Sequence, residues 1–180
     1  MEDILEEIKQ DEGWREAPYN DSLGLPTIGY GTLLPLTKQE ARAINSDREK
    51  TARLHLSPRA TEKVKGEDAI TRLEFYAGLR INRKEGEYLL RTRLESMTAE
   101  VFAAAPTLAK LDPARKAVIM NMTYQMGVTG VLGFKSTIRH IQAGEYAKAA
   151  DCMLASKWAK QTPKRAMRLA AIMRNGRWDC

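Results

Sequence analysis

Between Pro18 and Leu34 the chain is cut into short pieces by Pro18, Pro26, Gly24, Gly29, Gly31 and the pair Asn20-Asp21. Glycine supplies left-handed backbone, proline fixes φ, and asparagine or aspartate turns the chain through its own side chain. The stretch therefore reads as turns joined by very short strands. Thr27-Ile28-Gly29-Tyr30 alternates as a strand does, and this is the only part of the chain that reads as β structure. What flanks it is helical. Ile4, Leu5 and Ile8 lie at helical spacing within residues 2–12, and Gly13 is the stop. Thr37 and Glu40 form a capping box, and Asn82 with Glu85 opens a helix whose stripe is Leu90, Leu94, Met97 and Val101.

Asp112-Pro113 reads as a cap followed by proline at the first helical position, with Val118, Ile119, Met122 and Met126 as the buried face behind it. Tyr146, Ala149, Ala150, Met153 and Leu154 predict another helix. Thr162-Pro163 repeats the cap signal ahead of Leu169, Ile172 and Met173, and Gly176 ends the run. The predicted class is α+β, mostly α. A small lobe carries a short sheet, a helix from Asn82 bridges, and a helical bundle follows. The cleft between two such lobes is a favoured place for a site.

The balance of 29 basic against 23 acidic residues gives a net charge of +6, and the pI is about 9.4. Such a surplus attracts polyanions, whether nucleic acid or an anionic bacterial envelope, though an ordinary basic surface fits equally. No apolar run approaches the roughly 18 residues that span a bilayer. The acidic start Met-Glu-Asp-Ile-Leu-Glu-Glu-Ile lacks the basic head of a signal peptide. The expected place of synthesis is a cytoplasm, with no export address. Two cysteines, Cys152 and Cys180, make no disulfide framework, and two histidines, His55 and His140, are too few for an imidazole-built zinc site. No metal is expected.

Among the acids, Glu12 stands four residues after Ile8, on or beside the apolar stripe of its own helix. Apolar surroundings disfavour ionisation, which suits a general acid; a border glutamate capping a helix end has the same position. Asp21 falls in the wet Asn-Asp turn, as an ionised carboxylate or as an aspartate serving the turn. Thr27 has a hydroxyl to hold a water, or a β-branch that suits a strand. One raised and one ionised carboxyl across a cleft is the arrangement glycoside hydrolysis uses. No nucleotide-binding glycine motif and no serine-hydrolase elbow is present.

Taken in order, Asp11-Glu12-Gly13, eight residues between Glu12 and Asp21, five between Asp21 and Thr27, and Thr27-Ile28-Gly29-Tyr30-Gly31 resemble the phage-type lysozymes, the coliphage endolysin family of glycoside hydrolases. Asn121 to Gly127, Thr129-Gly130-Val131, Gly133-Phe134, Trp158, Gln161-Thr162-Pro163, Arg165, Arg168 and Gly176-Arg177-Trp178-Asp179 extend the resemblance to the far end. It implies a lysozyme-like fold and a muramidase that cleaves the β-1,4 bond between N-acetylmuramic acid and N-acetylglucosamine in peptidoglycan, with inversion and without a cofactor. Glu12 matches the proton donor, Asp21 the second carboxylate and Thr27 the water-holding threonine. Leu33, Tyr124, Thr137 and Cys152 fall where that family contacts substrate, and Arg165 where an arginine approaches the glutamate.

The resemblance further implies a single domain over residues 1–180. Residues 13–80 form a small β-containing lobe with a helical insertion at about 37–79, longer than the family pattern. Residues 81–180 form the connecting helix and helical lobe, with the helix at 2–12 packing on it. Thr32 stands where many members of that family carry histidine. The expected partner is bacterial peptidoglycan, with no nucleic acid and no membrane insertion. A monomer is expected, held in the host cytoplasm until a membrane pore protein releases it. A non-catalytic basic module binding wall or nucleic acid, an antibacterial effector and a virion component are the other settings.

Overall fold

The computed structural model describes residues 2–44, 51 and 73–178. Most of the insertion expected at 37–79 therefore lies outside the described residues. In chain order the elements are α1 (Glu2–Glu12), β1 (Arg15–Asn20), β2 (Pro26–Gly29), β3 (Thr32–Leu33), α2 (Lys38–Ile44), α3 (Arg83–Ala104), a 3₁₀ turn (Leu108–Lys110), α4 (Pro113–Leu132), α5 (Lys135–Gln142), α6 (Tyr146–Leu154), α7 (Lys157–Gln161) and α8 (Pro163–Asn175). The chain is a mostly helical α+β protein with one antiparallel three-stranded sheet in the order β1-β2-β3. It forms two compact units whose boundary falls inside α3, after Thr92.

In the first unit, Gly13 takes φ 68° and its amide donates to Lys9 O at 3.0 Å, so α1 ends where only glycine closes it without strain. β1 begins at Arg15, ahead of the segment that the glycines and prolines mark out. It is an edge strand, which is why it tolerates Pro18. Both expected capping boxes form. Thr37 N donates to Glu40 Oε2 at 2.7 Å and Glu40 N to Thr37 Oγ1 at 3.2 Å; Asn82 N donates to Glu85 Oε2 at 2.6 Å and Glu85 N to Asn82 Oδ1 at 3.0 Å. Ile28, Leu34, Leu36, Ala41, Tyr76, Leu79, Ile81 and Leu89 build the core under the sheet, with Trp14 packed against it. Gly86 sits inside α3 because a Cβ there would collide with the Trp14 ring. Lys9 ties α1 to α3 through Glu87 at 2.8 Å.

The second unit is all helix. Its core runs from Val101 and Leu108 through Val118, Ile119 and Met122 to Met153, Leu169 and Met173. Asp112 caps α4 by accepting from Arg115 N at 3.0 Å, with Pro113 following. The helix breaks at Gly127, whose φ of 75° and ψ of 168° are not helical. Two details depart from the sequence reading. Leu154 is 41% exposed rather than buried with Ala149, Ala150 and Met153. Thr162 does not cap α8 through its side chain; its hydroxyl donates back to Trp158 O at 3.2 Å, and Pro163 alone carries the start signal.

Arg115 is the clasp of this unit. Nε donates to Met173 O at 2.7 Å, Nη2 to Arg174 O at 3.0 Å and Nη1 to Asp112 Oδ2 at 2.7 Å, while the guanidinium lies 3.7 Å from the Tyr146 ring centre. It satisfies carbonyls that the end of α8 leaves without helical partners and joins them to the start of α4. Burial pushes the Asp112 carboxyl up, but the Arg115 amide, the guanidinium hydrogen bond and its charge outweigh this and hold the carboxyl below its usual 3.8. Arg115→Ala should cost about 2 kcal/mol in urea unfolding. A depressed carboxylate contributes stability above its unfolded value, so the gap to wild type should be full above about pH 4 and shrink as the pH falls through the depressed value. A gap below about 0.5 kcal/mol at neutral pH would contradict the clasp.

Candidate active site

The β1–β2 turn is built around Leu25. Asp21 Oδ1 accepts from Leu23 N and Leu25 N, both at 2.8 Å, while Asp21 N donates to Leu25 O at 2.9 Å. Gly24 closes the loop at φ 77° with its amide on Asp21 O at 3.0 Å. Thr27 Oγ1 donates to the same Leu25 carbonyl at 3.0 Å. One oxygen of the Asp21 carboxylate is thus committed to the turn, and the other takes no hydrogen bond among the described residues. Thr27 is 2% exposed, and its single hydroxyl proton is directed at Leu25, so towards anything else Oγ1 acts as an acceptor. The sequence left Asp21 and Thr27 between structural and chemical roles. In the structure each does the structural work with one part of its side chain and keeps an acceptor in hand.

Glu12 is the last residue of α1 and is half-buried. The tight turn between β2 and β3 approaches it. Gly31 has φ 78°, and a Cβ built there would stand 3.1 Å from Glu12 Oε2. The glycine-rich texture of this segment therefore gives backbone room to a carboxyl group as well as reversing the chain.

The strand register adds a residue that the sequence did not single out. Tyr19 pairs with Thr27, and Thr27 pairs with Leu33. Directly paired residues of an antiparallel sheet point to the same face. Tyr19, Thr27 and Leu33 therefore form one row across the three strands. Burial raises the Tyr19 phenol above its ordinary value; the charges of Glu12 and Asp21 push the same way, and Arg15, 5.8 Å from the ring centre, opposes them. A tyrosine two residues before the aspartate was visible in the sequence, but its place beside Thr27 depends on a register that strand periodicity does not fix.

In the second unit Thr137 and Cys152 line one cavity of about 250 Å³ together with Gly133, Phe134, Lys135, Ser136 and Ser156. Tyr124, half-buried on α4, is not among its lining residues. Arg165 is 7% exposed and reaches Asn121, with Nε to Oδ1 at 2.7 Å and Nη2 to the backbone oxygen at 3.3 Å. Asn121 is fully buried and fixes the arginine head from α4.

A small antiparallel sheet beside helices, with acidic and hydroxyl side chains gathered on a turn-bound hairpin, is the build of a lysozyme-like hydrolase. The phage lysozyme family matches residues 9–175, and the chain belongs to it. It is a lysozyme, a glycoside hydrolase. Probable T4-type lysozyme 1 of Dictyostelium discoideum is 33% identical over 177 residues, covering 96% of this chain and 94% of that protein. Probable T4-type lysozyme 2 of the same organism is 28% identical over 170 residues, covering 94% and 92%. The pre-baseplate central spike protein Gp5 of Enterobacteria phage T4 is 29% identical over 176 residues, which span 96% of this chain and 28% of that longer protein.

The Gly31 contact gives a direct prediction. Gly31→Ala places an L side chain in left-handed backbone, at a cost of about 1–2 kcal/mol, and asks the tip of the Glu12 carboxyl to give by a few tenths of an ångström. Misplacement of a group in a reaction by about 1 Å costs on the order of 10²-fold in rate, and a shift of a few tenths of an ångström correspondingly less. Lysis of permeabilised cells should therefore fall by about two- to fivefold, with a loss in urea midpoint from the strained backbone. Wild-type lysis and midpoint together would show that the approach to Glu12 is unimportant.

Proposed function

We propose that this lysozyme is a muramidase that hydrolyses the β-1,4 bond between N-acetylmuramic acid and N-acetylglucosamine in bacterial peptidoglycan, with inversion at the anomeric carbon. Glu12 is the general acid that protonates the leaving oxygen. Asp21 and Thr27 hold the attacking water. The observation that carries this reading is the shared bonding of Asp21 and Thr27 to Leu25, which leaves each with an acceptor. A water bound between two acceptors spends both of its protons on them and turns a lone pair outward to attack. As the bond to carbon forms, Asp21 takes a proton from the water while Glu12 delivers one to the departing sugar. Inverting sites keep about 6.5–9.5 Å between carboxyls to admit that water. Two carboxyl groups and a water complete the reaction without a cofactor.

Leu33, Tyr124, Thr137 and Cys152 are the substrate contacts in this reading, and Arg165, held by Asn121, is a supporting residue for the glutamate. The net charge of +6 favours the anionic wall by long-range attraction. The setting we propose is host-cell lysis by a monomeric endolysin that a membrane pore protein releases from the cytoplasm to the wall. Among the described residues no helix is long and apolar enough to cross a membrane. The similarity to a central spike protein favours a second setting, the same enzyme carried by a phage particle. Mass spectrometry of purified particles would separate the two.

Glu12→Gln tests the chemistry. The amide matches the carboxyl in shape and cannot donate the catalytic proton, whose transfer is typically worth about 10²–10⁴-fold. Purified wild type should clear permeabilised Gram-negative cells and create new reducing ends. Glu12→Gln should keep the fold by circular dichroism and lose turnover. New amine ends without reducing ends, or full activity in Glu12→Gln, would overturn the muramidase assignment.

A further inference from the structure

We propose that Tyr19 is a further substrate-binding residue of this site, donating its phenolic O–H to the N-acetylhexosamine whose anomeric carbon is attacked. The proposal rests on the muramidase reading above. Its geometry comes from the sheet: the β1–β2 register seats Tyr19 directly opposite Thr27, and the β2–β3 register seats Leu33 on the far side of Thr27. A sugar positioned for attack by a water on Thr27 lies over that row. Of the three side chains, Leu33 offers apolar contact and Thr27 offers an acceptor. Tyr19 alone offers a hydrogen-bond donor.

Three further observations suit the role. The Tyr19 hydroxyl makes no hydrogen bond among the described residues, although the residue is half-buried, so its donor is available. Tyr19 is reachable from solvent, since it lines an open cavity of about 620 Å³ along β1 from Trp14 to Asn20, whose lining does not include Thr27 or Leu33. The phenol is neutral at neutral pH even at its ordinary value near 10, and burial with the charges of Glu12 and Asp21 moves it further up. That matters because a phenolate there would repel the negative charge that the mechanism needs on Asp21. A neutral O–H supplies a donor at the site without adding a third charge. Sugar hydroxyls and the acetamido oxygen are its natural acceptors.

The placement and the role are separable in experiment. Carbon-13 NMR of the labelled tyrosine Cζ should give Tyr19 a raised titration midpoint in the wild type. The midpoint should fall in Glu12→Gln and again in Asp21→Asn, because each variant removes one of the two charges acting on the phenol. Adding an uncleaved N-acetylglucosamine oligomer to Glu12→Gln should shift the same resonance, with no change made to Tyr19 itself. Tyr19→Phe deletes only the hydroxyl. It should keep the wild-type melting temperature and the shape of the pH profile, while kcat/KM on soluble wall fragments falls about five- to tenfold, the scale of one neutral hydrogen bond. Oligomer binding to the Glu12→Gln,Tyr19→Phe protein should weaken by a similar factor.

Unchanged kcat/KM and unchanged oligomer binding in Tyr19→Phe would overturn the proposal and leave the muramidase reading standing. A lowered melting temperature with no shift of the Tyr19 resonance on adding oligomer would overturn it in favour of a packing role. Absence of reducing-end release by the wild type would remove the muramidase reading and this proposal with it.

Discussion

The backbone of Leu25 is the joint on which the candidate site depends. Its amide is bound by Asp21 Oδ1 and its carbonyl receives both Asp21 N–H and the Thr27 hydroxyl. The Asp21 bonds lie in an exposed turn where water would otherwise serve these groups, so their contribution is to order the turn, each worth about 1 kcal/mol. They also make Asp21 and Thr27 one rigid piece. A carboxylate on a free loop would wander by more than the tolerance of a reaction geometry, whereas here the same oxygen that orders the turn fixes the direction of the other. Glycines supply the remaining constraint: Gly24 completes the turn, and Gly31 lets backbone approach Glu12 where a side chain would intrude.

The helical unit is organised by a different economy of polar groups. Arg115 spends its donors on the last carbonyls of α8 and on the cap of α4. Arg165 is held by buried Asn121 in the same unit. Both guanidinium groups are mostly enclosed, and planar forks with several donors are the cations best able to stay charged there. In the same unit buried Thr137 and half-buried Cys152 line a common cavity.

Much of this was legible in the sequence because local rules and the final structure agree. Capping boxes at Thr37 and Asn82, the stop at Gly13 and the cap at Asp112 are decided within one turn of helix, and tertiary packing had no reason to override them. Glu12, Asp21 and Thr27 stood out by their order and spacing, and the family match agrees with the resemblance those residues carry. What the sequence did not yield depends on partners distant in the chain. Arg15-Glu16-Ala17-Pro18-Tyr19-Asn20 has no alternation of its own and becomes a strand by pairing with β2. Tyr19 acquired meaning only from the register. Thr162 looked like a cap until its hydroxyl found the Trp158 carbonyl, a competing local bond that threonine makes readily. Leu154 continued an apolar pattern that the core did not extend to cover.

The central claim is that Asp21 and Thr27, locked together through Leu25, direct a water rather than attack the sugar. The stereochemistry of the first product tests it most directly. Proton NMR of the anomeric position, recorded on soluble wall fragments before mutarotation, should show predominantly the α anomer from the β-linked substrate. Predominant β anomer would mean two successive inversions through a covalent glycosyl-enzyme, and would contradict the water-holding role of the hairpin.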